Sequence, residues 1–203
     1  MLQVKNLFVD LGGFRLTADF EIERGSLISI VGPSGAGKST LLNALAGFIP
    51  LTSGVIKWNG SDITKLDPGL RPLSILFQDY NLFSHLTVKD NIAIGLRPNL
   101  KLDDLETEMV NSVIEEVGLS KFKFIKPFQL SGGQRTRVSL ARSIVRSKPI
   151  LLLDEAFSGL GPALRSEMIK LIKDKSIKEG ITLIMVSHHI KAVSYTHLRA
   201  HET

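Results

Sequence analysis

The sequence predicts an α/β fold with a mainly parallel sheet, an N-terminal antiparallel β layer and a helical subdomain inserted in the core. Three observations support this prediction. Short, nearly continuous apolar runs alternate with stretches of helical periodicity, which is typical of parallel strands covered on both faces. The N-terminal region shows looser alternation between glycine-containing turns, and a charged helical stretch interrupts the middle of the chain.

The individual elements follow from these patterns. The predicted parallel strands are the four apolar runs Leu27–Val31, Leu73–Phe77, Ile150–Leu153 and Ile181–Val186. Two helices with apolar residues on one face are predicted between them, at Lys38–Phe48 and Leu164–Ile177. The antiparallel layer is predicted from Val4–Phe8, Arg15–Ile22 and Ser53–Asn59. Residues 88–134 are predicted to form the inserted helical subdomain, since Val110, Val113, Ile114 and Val117 recur at helical spacing.

Composition restricts the class of protein. The chain has 203 residues, a formal net charge of +5 and no cysteine. A disulfide framework and a Cys-ligated zinc site are therefore excluded. No apolar run is long enough for a transmembrane helix, and the N-terminus lacks the pattern of a signal peptide. We expect a cytosolic protein that reaches a membrane only through a partner.

The run Gly32–Thr40 matches the phosphate-loop pattern G-x-x-x-x-G-K-[ST]. It follows a predicted strand and opens a predicted helix, where backbone N–H groups and the helix dipole attract phosphate. Lys38 is expected to reach the β- and γ-phosphates, and the Ser39 hydroxyl to ligate Mg²⁺. The predicted triphosphate site comprises Gly32, Pro33, Ser34, Gly35, Ala36, Gly37, Lys38, Ser39 and Thr40.

Two acidic residues, Asp154 and Glu155, follow the predicted strand Ile150–Leu153. The carboxyl end of such a strand is where open α/β sheets bind ligands. Asp154 is therefore expected to hold Mg²⁺ through water, and Glu155 to take a proton from the attacking water.

A second phosphate-binding surface is predicted at Ser131, Gly132, Gly133 and Gln134, before the helical stretch Arg135–Val145. Ser131 is expected to cap that helix, and the two glycines leave its N–H groups uncovered. Because the phosphate loop already accounts for one γ-phosphate, two possibilities remain. Either a second anion binds here, or this surface serves the nucleotide of another subunit.

With these motifs, residues 1–192 resemble the ATP-binding cassette (ABC) ATPases of membrane transporters. The resemblance implies a RecA-like P-loop core, ATP and Mg²⁺ as cofactors, and a head-to-tail homodimer. In that dimer the signature loop Ser131–Gln134 of one subunit closes on the ATP of the other. The resemblance also implies that Gln78 contacts Mg²⁺ and senses the transport subunit, and that His188 contacts the γ-phosphate. The implied catalytic set is Glu155, His188, Lys38 and Gln78, and the implied metal ligands are Ser39, Gln78 and Asp154.

A closer resemblance, to the ATP-binding subunits of bacterial thiamine importers, is carried by residues 71–88, 46–48 and 161–165. It implies transmembrane permease subunits and a periplasmic solute-binding protein as partners, at the cytoplasmic face of the inner membrane. Three alternatives remain open. One is an importer of another small solute, of the polyamine, iron, sulfate or molybdate type. Another is a non-transport ABC protein of DNA repair or translation. The third is an inert binding module, because the chain is expected to be truncated.

No nucleic-acid partner is expected, although Lys121, Lys123 and Lys126 alternate with Phe122 and Phe124. We expect this segment to be a solvated face with its aromatic rings tucked in.

Three features depart from the family pattern. Gly161 stands where the family commonly has aspartate, and Leu11 stands where an aromatic residue stacks on adenine; Phe8 or Phe14 could substitute. Residues 193–203 resemble a translated transposon-type sequencing adaptor, so we expect a C-terminally truncated chain with a non-native tail.

Overall fold

The computed structural model describes residues 1–77 and 81–186. These residues form two compact units. The first comprises Met1–Ile75, Pro149–Asp154 and 176–186, and the second comprises Leu76–Lys148 (without 78–80) and Glu155–Lys175. The predicted subdomain 88–134 lies wholly within the second unit, which extends beyond it on both sides.

Eight strands, five α-helices and two short 3₁₀-helices, Ser120–Phe122 and Pro127–Gln129, make up the regular structure of the described residues. The strands are β1 (Leu2–Asp10), β2 (Arg15–Ile22), β3 (Leu27–Ile30), β4 (Ser53–Trp58), β5 (Ser61–Asp62), β6 (Leu73–Leu76), β7 (Ile150–Asp154) and β8 (Thr182–Val186). The helices are α1 (Lys38–Ala46), α2 (Val88–Ala93), α3 (Asp104–Glu116), α4 (Gly132–Ile144) and α5 (Pro162–Glu179). Each predicted strand and helix is present, with ends shifted by a few residues. Within the described residues, no helix combines the length and the apolar character needed to span a bilayer.

The N-terminal layer is an antiparallel sheet of order β2-β1-β4-β5, as the sequence predicts. The register of β1 shifts between Val4 and Leu7, and Asn6 has a φ of 48° there. Gly54 on β4 lies against this irregularity with a φ of 98°, and a Cβ at Gly54 would overlap the backbone of Asn6. Gly54 therefore allows the two strands to pair across the bulge.

The second sheet has the order β3-β8-β7-β6, and β8 pairs in parallel with both β3 and β7. Every residue of β8 is buried, and so is every residue of β7 except Asp154. This burial explains the continuous apolar runs, since a strand covered on both faces has no polar side. The register pairs Asp154 with Val186, so β7 presents its carboxylate at the last paired position.

One apolar core joins α1 to both sheets. Leu41, Leu42 and Leu45 of α1 belong to the same buried cluster as residues of β1, β2, β3, β4, β7 and β8. At the C-terminal end of α1 the Arg71 side chain is 3% exposed. Its guanidinium donates to the carbonyls of Ala44 and Leu45 at 3.0 and 2.7 Å, so a buried arginine caps the helix.

The second unit is built around α2, α3 and α4, and α2 packs against the other two helices. Polar caps define where these helices begin. Thr87 accepts from the Asp90 N–H at the start of α2. Asp103 and Glu106 form a reciprocal capping box at the start of α3.

The lysine-rich segment differs from expectation in one respect. Phe122 is half-buried, but Phe124 is 73% exposed rather than tucked in. The Lys123 ammonium lies 5.4 Å from the centroid of the Phe124 ring. A cation can remain solvated while it rests on an aromatic face, which is a local alternative to burying the ring.

Candidate nucleotide-binding site

The loop 32–37 leads from β3 into α1 and leaves the start of that helix open. Gly35 and Gly37 have φ values of 86° and 79°, in the left-handed region that glycine adopts without strain. Gly37 is the N-cap of α1 and makes no side-chain capping bond, and the first turn contains no acidic residue. The uncapped N–H groups and the helix dipole make this end of α1 suited to bind an anion.

Lys38 is 6% exposed. Its ammonium donates to the carbonyls of Gly32 and Pro33 at 2.9 and 2.6 Å. The loop therefore closes around its own lysine, which places a positive charge within the curve of the backbone. A charge in this position attracts phosphate oxygens more strongly than a solvated surface lysine does.

Ser39 and Asp154, which are 115 residues apart in the sequence, meet in the first unit. The Ser39 hydroxyl donates to Asp154 Oδ1 at 2.8 Å. Hydroxyl and carboxylate oxygens are the ligands that Mg²⁺ prefers, and adjacent ligands of an octahedral ion lie about 2.9 Å apart. The pair could therefore hold Mg²⁺ on neighbouring positions or through one intervening water.

Glu155 directly follows β7 and adopts a φ of 47°. A left-handed conformation is unfavourable for a residue with a Cβ, and such residues concentrate at functional sites. The chain turns sharply here, and the Ser158 N–H donates to the Glu155 carbonyl at 2.9 Å. The carboxylate that follows Asp154 in the chain is thus carried on a constrained turn.

In the second unit, α4 begins at Gly132, three residues before the predicted start. Ser131 is its N-cap and accepts from the Gln134 N–H at 3.3 Å, as predicted for Ser131. Gln134 Oε1 accepts in return from the Ser131 N–H at 2.8 Å. This capping box extends the helix over both glycines, and the first turn contains no acidic residue. The pattern S-x-x-Q encodes this reciprocal bond as a capping box, whereas the prediction covered only the cap by Ser131.

Phe14, one of the two substitutes that the sequence suggests, lies against the phosphate loop. Its ring lies so close to Gly37 that a Cβ there would stand 2.6 Å from Phe14 Cζ. Leu11 is 52% exposed. Phe14 therefore buttresses the start of α1 and requires glycine at position 37.

Two predicted site residues, Gln78 and His188, lie outside the described residues, as does the tail 193–203. The remaining predicted positions form two groups. The first unit contains Gly32–Thr40 with Asp154, and the second contains Glu155 and Ser131–Gln134.

The comparisons with known proteins agree with this arrangement of motifs. Residues 17–158 match the family model described as ABC transporter. This match covers more than half of the chain, including the phosphate loop, the Ser131–Gln134 segment and Asp154. The chain belongs to the ABC transporter family. The expectation of an ABC-type ATPase is thereby confirmed, together with the α/β fold of such cassettes.

Several relatives carry the name thiamine import ATP-binding protein ThiQ. The protein of this name from Ruegeria sp. (strain TM1040) is 48% identical over 188 residues, covering 93% of this chain and 81% of the relative. The one from Histophilus somni (strain 129Pt) is 50% identical over 193 residues, covering 95% and 90%.

Solved structures of ATP-binding cassettes are also similar. An ABC transporter cassette in its ADP conformation has a TM-score of 0.85 at 25% identity, covering 94% of this chain and 82% of that one. A dimeric cassette in a post-hydrolysis state, bound to ADP and Pi, has a TM-score of 0.81 at 28% identity, covering 94% and 89%.

Proposed function

We propose that this chain is the ATP-hydrolysing subunit of a thiamine importer. In this proposal it works as a head-to-tail homodimer on the cytoplasmic face of the inner membrane. Each ATP lies between Gly32–Thr40 of one copy and Ser131–Gln134 of the other. Transmembrane permease subunits and a periplasmic solute-binding protein complete the importer.

The observation that carries the proposal is that one chain contains two helix starts suited to bind an anion. The start of α1 closes around Lys38, whereas α4 begins with two glycines behind the Ser131 cap. Neither first turn contains an acidic residue that would repel phosphate. A second copy of the chain gives the α4 surface a phosphate to bind. The dimeric cassette bound to ADP and Pi, at 28% identity, supports this arrangement.

The proposal assigns a chemical role to each of these residues. Lys38 balances charge on the β- and γ-phosphates, and Ser39 and Asp154 would hold Mg²⁺. Mg²⁺, when bound, neutralises charge on the phosphate oxygens. Glu155 orients the attacking water and accepts its proton. In this proposal Gln78 and His188 complete the site, as the family resemblance implies.

ATP drives the transport cycle because its γ-phosphate contacts both copies, whereas ADP lacks that bridge. A ligand shifts a conformational equilibrium only by its difference in affinity for the two states. ATP therefore favours the closed dimer, and hydrolysis allows the dimer to open. The permease subunits convert closure and opening into movement of the cargo. Thiamine is proposed as the cargo because relatives at 46–51% identity carry that name.

The ATPase proposal is tested by measuring phosphate release and oligomeric state in the wild type and in Glu155→Gln. We expect the substitution to lower kcat by about 10²–10⁴-fold while ATP binding persists, because Gln cannot accept the proton. With ATP and Mg²⁺, Glu155→Gln is expected to elute as a dimer, and with ADP as a monomer. If Glu155→Gln with ATP stays monomeric even beside its permease, the proposal of a composite site is wrong.

The cargo is tested separately, in cells that lack their own thiamine uptake. The chain is expressed with any permease and solute-binding protein encoded beside it, and uptake of labelled thiamine is measured. We expect uptake that disappears with Glu155→Gln. Uptake of a polyamine, iron, sulfate or molybdate, but not of thiamine, would refute the cargo and leave the ATPase proposal intact.

A further inference from the structure

The beginning of α5 connects two functional segments of the second unit. Residues 155–161, which begin with Glu155, lead directly into this helix. The loop Ser131–Gln134 lies against the same end of the helix, through Gly133. In the proposed dimer these two segments act on different nucleotides. Glu155 acts on the ATP bound by its own subunit, whereas Ser131–Gln134 contacts the ATP bound by the partner subunit.

Arg165 holds the segment that follows Glu155. Its Nε donates to the Phe157 carbonyl at 3.1 Å, and one terminal nitrogen donates to the Ser158 carbonyl at 3.0 Å. Charge-assisted hydrogen bonds from one planar group fix both distance and direction. Arg165 therefore ties α5 to the turn that carries the strained Glu155, because the Ser158 N–H also binds the Glu155 carbonyl.

Leu164, the preceding residue, holds the other segment. Its Cδ2 lies so close to Gly133 that a Cβ at that position would overlap it. Gly133 does not have a positive φ, so glycine serves here to leave space for the Leu164 side chain rather than to allow a special backbone conformation. A second link lies further along, where Arg137 of α4 donates to Glu167 of α5 at 2.9 Å. The start of α4 is thus packed directly onto α5.

We propose that Leu164 and Arg165 are positioning residues that couple the two composite ATP sites of the dimer. They join the turn that carries Glu155 to the loop that closes on the partner's ATP. This inference rests on the proposed dimer and assigns a role that the family motifs do not include. These contacts provide a route between the two sites within each subunit. Such a route matters in this chain because Gly161 stands where the family commonly has aspartate.

The first test removes the link to the Glu155 turn. Arg165→Met is compared with Lys170→Met, which removes an exposed positive charge from the same helix. In Arg165→Met we expect kcat to fall about 10- to 100-fold, the scale at which a catalytic group is misplaced. The ATP affinity should be unchanged, because the phosphate loop is intact. The Hill coefficient for ATP should fall to about 1, as for uncoupled sites. Arg165→Lys, which keeps a charged donor, is expected to recover part of kcat.

The second test uses the contact between Gly133 and Leu164. Gly133→Ala is expected to lower kcat about 10- to 100-fold, because the new methyl group overlaps Leu164 and displaces the loop. Adding Leu164→Ala removes the overlapping atoms, and the new methyl group at position 133 keeps the loop in contact with α5, so most of the lost kcat should return. Leu164→Ala alone loses that contact and should lower kcat. Rescue would not occur if Gly133 mattered only for contact with the nucleotide. A double variant as inactive as Gly133→Ala would overturn the inference.

The outcomes also separate this inference from the function on which it rests. Suppose that the wild type hydrolyses ATP cooperatively and that Arg165→Met retains its kcat and Hill coefficient. The inference is then wrong while the proposed function stands. If the wild type does not hydrolyse ATP and the Glu155→Gln variant does not dimerise with ATP, both the inference and the proposed function are wrong. Melting curves of each variant identify any loss of kcat that arises from unfolding.

Discussion

Arg71 offers a direct test of how α1, which carries Lys38 and Ser39 at its start, is held at its other end. Its guanidinium donates to Ala44 and Leu45 and also to the carbonyls of Leu66 and Thr64, at 3.0 and 2.7 Å. Burial lowers the pKa of Arg71 below its ordinary value, because the charged form loses solvation. The side chain forms no ion pair with an acidic residue of the described part of the chain.

The effect of Arg71→Met can be estimated from these contacts. Each of the four hydrogen bonds from a charged donor contributes about 1.5–3 kcal/mol. Desolvation of the guanidinium, which methionine avoids, offsets several kcal/mol of this sum. Two buried and two part-buried carbonyls would lose this donor, so we expect a net loss of about 3–5 kcal/mol in the free energy of unfolding. At about 2–4 °C per kcal/mol for a chain of this size, Tm should fall by about 6–20 °C.

The assay is urea and thermal unfolding followed by circular dichroism. Arg24→Met is the matched control, because Arg24 is exposed and the expected change is within about 0.5 kcal/mol. Arg71→Lys should lie between Arg71→Met and the wild type, since one ammonium cannot reach all four carbonyls. If Arg71→Met has the same Tm as the Arg24→Met control, the four hydrogen bonds contribute no net stability and the estimate is refuted.

Three further predictions concern the backbone and the phosphate loop. Lys38→Ala should abolish tight ATP binding, measured by titration calorimetry; normal affinity would contradict the role of the loop. Gly54→Ala should lower the free energy of unfolding by more than about 2 kcal/mol, because a Cβ overlaps the Asn6 backbone. Gly60→Ala, at a φ of 84° with open space around it, should cost only about 1 kcal/mol, and equal losses would refute the steric explanation. Glu155→Gly should raise the free energy of unfolding by about 1 kcal/mol while hydrolysis is lost, since glycine relieves the left-handed strain. Destabilisation would show that the side chain contributes more than the strain costs.

Local patterns predicted the regular elements well. The segment Arg15–Ile22 is a strand with those ends, and the strand predicted at Leu27–Val31 ends one residue earlier, at Ile30. These predictions succeed because burial on one or both faces of a strand leaves a direct pattern in the sequence. The start of α4 at Gly132 was less predictable from propensity, since two glycines disfavour a helix. The capping box between Ser131 and Gln134 offsets that penalty.

By itself, the sequence determined the family and the order of the elements, and it predicted which residues would bind phosphate and Mg²⁺. These properties depend on short motifs and on periodicity, so neighbouring residues suffice to reveal them. The tertiary structure decided which distant residues meet. It placed the Ser39 hydroxyl on Asp154, filled the space beside Gly133 with Leu164 and capped α1 with Arg71. Such contacts join segments far apart in the chain, and only folding sets their distances.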